Sequence, residues 1–525
     1  MSHFPWLTAL VVLPLLGSLA LFLPTGLRAR AREVALTFAL LEVAVAVIAA
    51  AGFDTGRAAE HQLLETHSWI APLGVSYAVG VDGVGLALIL LSVLLVAVVV
   101  VAAWREQGSG EVATDELRRY LALVLLLEAF MVAVFAARDV FFFYVLFEAM
   151  LIPVYFMIGG YGADRARRRH AAVKFLLYSL AGGLVMLVGV IGLYQHGPGG
   201  TEGFLVDNLV GLHLDPTVEK WLFISFFVAF AIKAPMFPVH TWLPDAAEQA
   251  PAGTSALLVG VLDKVGTFGM LTLCLPLFPN AARWAAPAVI VLAVISVIYG
   301  ALLAIGQKNL FRLVAYTSVS HFGFIVLGIF AFTSVSVSGA SFYMVNHGLS
   351  TGALFLLVGY LVARRRSPLI ADFGGLQKNV PVLAGLFLVV GLSALSLPGL
   401  STFVSEFVVI VGSFARHPAA AIVATTGVVL AAVYILWTYQ RVFTGPLPAN
   451  TADQDARSLP ALAGARDVRS FERWAVVPLI TIMLVLGFWP KPALDLVRAP
   501  ATTTLHQVGI EDVPAAPATA SEAAK

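Results

Sequence analysis

Residues 382–414 read VLAGLFLVVGLSALSLPGLSTFVSEFVVIVGSF, an apolar run in which Glu406 is the single charged residue. A helix of about 20 residues already crosses the hydrocarbon core of a bilayer, so this run is too long for one untilted membrane helix. Proline removes a backbone donor, and Leu397-Pro398-Gly399 therefore predicts a break within the run. The stretch predicts a membrane helix that is interrupted close to a carboxylate.

The whole chain shares this apolar character. Its 525 residues are 59% hydrophobic and 12% charged, with a mean hydropathy of +0.90, whereas ordinary soluble domains carry roughly 25% charged residues. Solid apolar runs also exclude a transmembrane β-barrel, which would need short strands of alternating polarity. The net charge of +1 gives no reason to expect a nucleic-acid partner. We therefore predict an all-α protein that crosses a lipid bilayer many times.

Apolar segments long enough to span predict about fourteen transmembrane helices. They run at Pro5–Leu23, Val34–Phe53, Val84–Trp104, Tyr120–Ala136, Val140–Ile158, Ala172–Tyr194, Trp221–His240, Ala252–Leu275, Ala286–Ile305, Leu313–Ala331, Gly339–Val362, Val382–Phe414, Ala421–Gln440 and Trp474–Phe488. The residues after Pro490 are rich in Ala, Thr and Pro, which predicts a loosely ordered end.

The basic residues predict the orientation, because cytoplasmic loops carry the excess of Lys and Arg. Odd-numbered loops contain most of them, for example Arg165, Arg167, Arg168 and Arg169 in one loop, whereas the even-numbered loops together contain few. The odd loops are therefore predicted to be cytoplasmic. An even number of helices then places both termini on the outer side of the membrane.

Several ionisable residues fall inside predicted spans, where each charge costs about 2.5–3.5 kcal/mol on the insertion scale. Glu42, Lys174 and Asp263 lie near span ends or alone, so a structural ion pair or a side chain reaching the interface explains them as well as a function does. Depth favours a functional role for the others, which come from different helices. These are Glu148, Lys233, Lys264 and Glu406, and Glu128, His321 and His347 also fall inside predicted spans.

Prolines next to two of these residues indicate broken helices. Pro235 and Pro238 follow Lys233, and they should free the carbonyls of Ala231 and Ala234. Pro398, which lies eight residues before Glu406, does the same for the carbonyl of Ala394. Two broken helices that each carry an ionisable residue are typical of transporters built from internal repeats.

These repeats suggest a division of the chain. Residues 1–118 would hold helices 1–3, residues 119–280 a first repeat of helices 4–8, residues 281–440 a second repeat of helices 9–13, and residues 441–525 the last helix and the tail. Each repeat has an odd number of helices, so the two would be inverted relative to each other.

The single cysteine, Cys274, limits the redox chemistry of this chain. Disulfides, thiolate zinc sites and iron–sulfur clusters all need several sulfur ligands. Any redox centre should therefore belong to a partner. We also expect no cofactor and no metal on this chain.

Four strings carry a resemblance to a known family: YAVGVDG at 77–83, RDVFFFYVLFEAMLIP at 138–153, KAPMFPVHTWLPD at 233–245 and LPGLSTFVSEF at 397–407. The sequence resembles the antiporter-like membrane subunits of proton-pumping NADH-quinone oxidoreductase, respiratory complex I. The string at 233–245 occurs throughout these subunits. Glu406 narrows the resemblance to the subunit M family, the bacterial counterpart of mitochondrial NADH dehydrogenase subunit four, because subunits L and N and the Mrp-type antiporters generally have Lys there.

The resemblance implies a proton-translocating subunit of a bacterial cell membrane. Its partners would be subunits L and N and, through the complex, the peripheral redox subunits that carry NADH, FMN, iron–sulfur clusters and quinone. Making and breaking the Glu148–Lys233 pair would control the charge of Lys233. Lys264 and His321 would pass the proton laterally to Glu406, with His347, Lys174 and Glu128 as candidate helpers.

The sequence departs from the family pattern at two positions, and three alternative functions stay open. Ala247 stands where the family usually has His, and Asp263 precedes Lys264 where an apolar residue is common. A subunit of an Mrp-type sodium/proton antiporter would use the same Glu148, Lys233 and Lys264 without redox coupling. A membrane hydrogenase antiporter-like subunit is the second alternative. A structural scaffold is the third, and it would leave the buried charges unexplained.

Overall fold

The computed structural model describes residues 4–23, 30–103, 111–162, 164–446 and 466–512. In the first part of the chain the elements are α1 Trp6–Phe22, α2 Ala31–Ala51, β1 Gln62–Ile70, β2 Val75–Val81, α3 Gly83–Ala102, α4 Glu111–Ala136, α5 Val140–Ala149, α6 Leu151–Tyr161, α7 Arg165–His196, α8 Val206–Leu209, α9 Pro216–Lys233, α10 Trp242–Gln249, α11 Ala252–Leu257, α12 Lys264–Gly269 and α13 Leu275–Leu277. The second part adds α14 Pro279–Ile305, α15 Leu310–Phe330, α16 Ser334–Arg365, α17 Pro381–Ala394, α18 Ser401–Phe414, α19 Pro418–Phe443, α20 Ser470–Phe488 and α21 Lys491–Val508.

The helical prediction is confirmed. Eleven helices or helix pairs in the described residues are long and apolar enough to cross a membrane, and α1, α17 and α18 are shorter apolar helices. Helices suit this setting because they satisfy their backbone hydrogen bonds internally, where a bilayer offers no water. The exact number of fourteen spans stays a prediction.

One segment differs from the all-α expectation. Strands β1 and β2 form an antiparallel hairpin in which Gln62 pairs with Val81 and Ser68 with Ser76. Its turn passes through Gly74, whose φ of 71° is open to glycine at little cost. Asp139 fixes the hairpin to the start of α5, because its Oδ2 accepts a hydrogen bond of 2.9 Å from the Ser76 amide.

Both predicted helix breaks are present. Helix α9 ends at Lys233, so it stops before His240, where the predicted span ended. Helical structure resumes at Trp242. The expectation that Pro235 leaves the Ala231 carbonyl free is wrong, because the Met236 amide donates to it at 3.1 Å. The Trp242 indole also donates to the Ile232 carbonyl at 2.9 Å. The second break separates α17 from α18 and contains Ser396, which has a φ of 61°.

The predicted eighth span is not a regular α-helix. Two π-helical turns, Leu258–Leu262 and Met270–Cys274, flank α12 on either side. π-Turns widen a helix by one residue per turn and occur frequently at functional sites. Here they surround the short segment that begins with Lys264.

The prediction of a loosely ordered end after Pro490 is wrong for most of this segment. Helix α21 packs against α3 and α16, and a Cβ added to Gly83 would lie only 2.0 Å from the Leu496 carbonyl oxygen. Beyond the helix, Asp512 Oδ1 accepts a hydrogen bond of 3.1 Å from the Ser334 amide. The apolar side of α21 overrides the Pro and Thr content of the sequence, and residues 513–525 lie outside the described residues.

Candidate functional site

Lys233 occupies the last position of α9, where the helix breaks. Its side chain is fully buried, and Nζ has no hydrogen-bond partner among the described residues. The ammonium nitrogen instead lies 4.7 Å from the centroid of the Phe147 ring. A cation over an aromatic face gains only part of what a paired carboxylate would supply.

Glu148 follows Phe147 on α5 and is close enough to Lys233 to interact with it electrostatically. No hydrogen bond joins them in the part of the chain that the structure describes, since Glu148 Oε1 is buried without a partner as well. The carboxylate lies against α7, where a Cβ on Gly183 would come within 1.6 Å of Glu148 Oε1. The two groups are therefore neighbours that do not touch.

Lys264 and His347 are in direct contact. Lys264 begins α12, and its Nζ lies 2.7 Å from His347 Nδ1 on α16. The same ammonium donates to the Val259 carbonyl at 2.5 Å. Val259 belongs to the first π-turn, so the irregular helix supplies a polar partner for a fully buried lysine.

A second contact chain continues from His321 to Glu406. The His321 ring on α15 lies 5.3 Å from the His347 ring, measured between centroids. His321 Nδ1 is 2.7 Å from the Tyr343 hydroxyl, and that hydroxyl donates to Glu406 Oε2 at 2.8 Å. Ser396, in the break before α18, donates to the same oxygen.

Five buried side chains thus form one row, which we call the central row: Lys264, His347, His321, Tyr343 and Glu406. Imidazole can accept a proton on one nitrogen while it releases one from the other, and hydroxyl groups both donate and accept. The row is therefore chemically suited to proton transfer across the width of the helical bundle.

Tyr343 and Ser396 were missed in the sequence. Tyr343 precedes His347 by four residues on α16, a spacing that places both on one helix face and could have identified it. Ser396 offers no comparable signal, because its position depends on the path of the chain through the break.

Asp263 is a buried carboxylate without hydrogen-bond partners in the described part of the chain. It is fully buried, and neither carboxylate oxygen has a hydrogen-bond partner among the residues described. Both Lys264 and Lys233 lie within electrostatic range. Asp263 is therefore a second carboxylate near Lys233, and it directly precedes Lys264 of the central row.

Lys174 and Glu128 lie outside the row. Lys174 Nζ forms an ion pair of 2.6 Å with Asp245 Oδ2, and Arg312 binds the other carboxylate oxygen of Asp245 at the same distance. Glu128 on α4 is fully buried without a hydrogen-bond partner in the described part of the chain, and its charged neighbour is Glu42 on α2.

Ala247, where the resemblance leads us to expect His, is fully buried on α10. The side chain of Ser255 donates to its carbonyl at 3.1 Å. A methyl group cannot transfer a proton, so position 247 takes no part in proton transfer in this chain.

Known proteins resemble this chain over most of its length. Residues 137–431 match the family model described as NADH:quinone oxidoreductase/Mrp antiporter, TM. NADH-quinone oxidoreductase subunit M of Mycobacterium tuberculosis is 45% identical over 98% of this chain and 96% of the relative. Subunit M of Rhodobacter capsulatus is 36% identical over 89% of each protein.

Solved structures share the fold. A chain of respiratory complex I from Thermus thermophilus has a TM-score of 0.83 and 29% identity, covering 96% of this chain and all of that one. A chain of the Mrp complex from Dietzia also has a TM-score of 0.83, but its 22% identity supports the fold alone. The 45% identity along nearly the whole length and the antiporter-like architecture lead to one conclusion: this chain belongs to the NADH-quinone oxidoreductase subunit M family, the antiporter-like membrane subunits of respiratory complex I.

Proposed function

We propose that this chain moves protons across the membrane through Glu148, Lys233, Lys264 and the rest of the central row to Glu406. The observation that carries the proposal is the run of buried contacts from Lys264 Nζ to His347 and from His321 through Tyr343 to Glu406. A buried charge is costly unless it is paired. Such a row of groups is therefore expected to have a function.

The separation of Glu148 and Lys233 suggests how the path is controlled. A shift of α5 or of the break after α9 that brings the carboxylate to Lys233 would stabilise the ammonium form. Separation removes that stabilisation and favours transfer of the proton toward Lys264. The Asp263 carboxylate interacts electrostatically with both lysines, so it would stabilise a proton that passes from one to the other.

The driving force must come from outside the chain. Moving one charge outward costs about 2.3 kcal/mol per 100 mV of membrane potential. Among the described residues no group of three or more His, Cys, Asp or Glu side chains is placed to hold a metal ion. We propose that NADH, FMN, iron–sulfur clusters and quinone act on partner subunits and that this chain contacts subunits L and N.

Two breaks next to ionisable residues support the division into inverted repeats. Lys233 ends α9 in the first proposed repeat, 119–280, and Glu406 follows the break between α17 and α18 in the second, 281–440. Lys233 would then take in the first repeat the place that Glu406 takes in the second. Residues 1–118 and 441–525 would flank the pair.

We further propose that the protein lies in the bacterial cell membrane with both termini on the outer side. A reporter fused after Lys525 should report the outer face, and one inserted near Arg167 should report the cytoplasm, because the odd loops hold the basic residues. Alkaline phosphatase and green fluorescent protein fusions at both positions provide the measurement. A cytoplasmic signal from the C-terminal fusion would contradict the predicted even number of spans.

Tyr343→Phe tests the central row with a change of one oxygen atom. The phenyl ring retains the packing but removes the group that joins His321 to Glu406, so proton pumping should fall by about 10²-fold or more, the usual range for a positioned proton-transfer group. Assembly should be unchanged. Tyr155→Phe on α6 is the matched control and should pump as wild type does. Pumping at the wild-type level by Tyr343→Phe as well would exclude the Tyr343 hydroxyl from the path.

Purification of a tagged chain tests the function as a whole. The isolate should contain the other complex I subunits and should reduce quinone with NADH while it acidifies the lumen of proteoliposomes. Sodium/proton exchange without NADH dehydrogenase activity would instead favour the Mrp-type alternative.

A further inference from the structure

A cavity of about 150 Å³ lies at the ends of several helices. Its wall includes Asp82 before α3, Arg138 between α4 and α5, Asp207 on α8 and Pro276 on α13. All four positions belong to the face with few basic residues, which is the predicted outer face. Helix α21 covers one side of the cavity through Thr504 and Gln507.

The lining is polar enough to hold water. Arg138 is almost completely buried and pairs with Asp207 through Nη2, but its Nη1 atom is buried without a partner in the described residues. A buried guanidinium nitrogen without a protein partner is expected to bind water. At roughly 30 Å³ each, about five water molecules would fill the space.

Aromatic rings close the inner end of the cavity. Phe143 and Phe268 both line it. The Phe143 ring packs edge-on against Phe230 at 5.9 Å, and the Phe268 ring packs edge-on against Phe135 at 5.3 Å. Gly269 leaves no spare room, because a Cβ there would lie 2.5 Å from the Phe230 ring. The barrier between the cavity and the interior of the bundle is therefore apolar and tightly packed.

Both barrier residues are close in the chain to the sites of the buried lysines. Phe268 follows Lys264 by four residues, one turn along α12, and Phe143 precedes Phe147 by one turn on α5. Phe147 is the ring that contacts Lys233 Nζ. Phe143 and Phe268 are therefore each one helical turn from a residue at a buried lysine, Phe147 and Lys264 respectively.

We propose that this cavity is a water-filled outer vestibule and that Phe143 and Phe268 form a hydrophobic gate between it and Lys233 and Lys264. The inference rests on the proposed proton path and adds to it a second access route, from the outer face into the first half of the chain. Apolar constrictions block ions by excluding water, and rotation of one ring would admit it.

The second π-turn provides a place for such movement. Leu271, Thr272 and Leu273 of this turn line the cavity. Thr272 Oγ1 donates to the Phe268 carbonyl at 2.8 Å, which connects the cavity wall to the gate residue. A π-turn that relaxes to α-helix would change the rotation of α12 and with it the position of Phe268.

Thiol labelling tests the vestibule without reference to pumping. Cys274 is the single cysteine, so Thr272→Cys and Thr267→Cys are each made in a Cys274→Ala background. Methanethiosulfonate ethylammonium, added to the outer face of the assembled complex in spheroplasts, should label position 272, whereas position 267, fully buried beyond Phe268, should stay unlabelled. The modified residue is identified by mass spectrometry of this chain. Labelling of position 272 from the cytoplasmic face alone, or from neither face, would overturn the vestibule.

The gate is tested by the double variant Phe143→Ala/Phe268→Ala in proteoliposomes that contain the whole complex. Water should enter through the smaller side chains, so the number of protons moved per NADH oxidised should fall several-fold while NADH oxidation continues. The matched variant Phe143→Leu/Phe268→Leu keeps the constriction apolar and filled, and it should pump nearly as wild type does. An unchanged proton ratio in the alanine variant would overturn the gate, whereas pumping retained in a Lys233 variant would overturn the proposed path and leave the labelling result intact.

Discussion

Lys233→Ala should abolish NADH-driven proton pumping by the assembled complex and should lower the coupled reduction of quinone with it. Positioned proton-transfer groups contribute about 10²–10⁴-fold to the rates of the steps they serve, so a loss of this size is expected. Oxidation of NADH by artificial acceptors should remain, because the redox centres are proposed to lie on other subunits.

The structure gives the reason for so large an effect. Lys233 is fully buried at the broken end of α9, and no other basic side chain of α9 occupies that end. Alanine would remove the cation that interacts with the Glu148 carboxylate. It would also remove the proton-carrying group that precedes Lys264 in the proposed path. The measurement is acidification of inside-out vesicles, normalised to the amount of assembled complex.

Lys220→Ala provides the matched control for this change. Lys220 lies on the same helix, but it is partly exposed and stacks over the Trp284 ring at 5.0 Å, away from the central row. It should therefore pump as wild type does. Full pumping by Lys233→Ala would remove the lysine from the path and leave it a structural residue.

Glu406→Gln is expected to have an effect of similar size at the other end of the row. Glutamine retains the length of the side chain and can still accept the hydrogen bonds from Tyr343 and Ser396. It cannot take up or release a proton at neutral pH. The variant should therefore assemble normally and lose pumping by a factor in the range of about 10²–10⁴.

Graded substitutions separate titration from geometry at this site. Glu406→Asp still titrates and should keep part of the activity, although its shorter side chain reaches Tyr343 less well. Glu406→Lys should be tolerated better than Glu406→Gln if a titratable group is all that the site requires, since a desolvated lysine also releases its proton.

The control for Glu406→Gln is the same change at Glu219. That carboxylate is buried as well, but it binds the backbone amides of Asn280 and Ala281 at 2.7 and 3.0 Å, outside the central row. Pumping should persist in this variant. Equal pumping by wild type and Glu406→Gln would return Glu406 to a structural role.

The sequence alone determined the parts of this protein that depend on local chemistry. Apolar runs identify membrane helices because the cost of exposing polar groups to lipid acts residue by residue. Proline acts on the carbonyl four residues before it, so both breaks could be placed within a few residues. Lys233, Lys264 and Glu406 stood out for the same local reason, because a charge in a long apolar run is costly wherever the helix packs.

Tertiary structure decided the features that depend on contacts between distant segments. Asp139, far along the chain, holds the hairpin of β1 and β2 through the Ser76 amide, and α21 packs against α3 and α16. The path of α15 and α16 brings Tyr343 between His321 and Glu406. The separation of Glu148 from Lys233 was equally hidden, because charge and hydropathy are properties of single residues, whereas a distance between two side chains is fixed only when their helices pack.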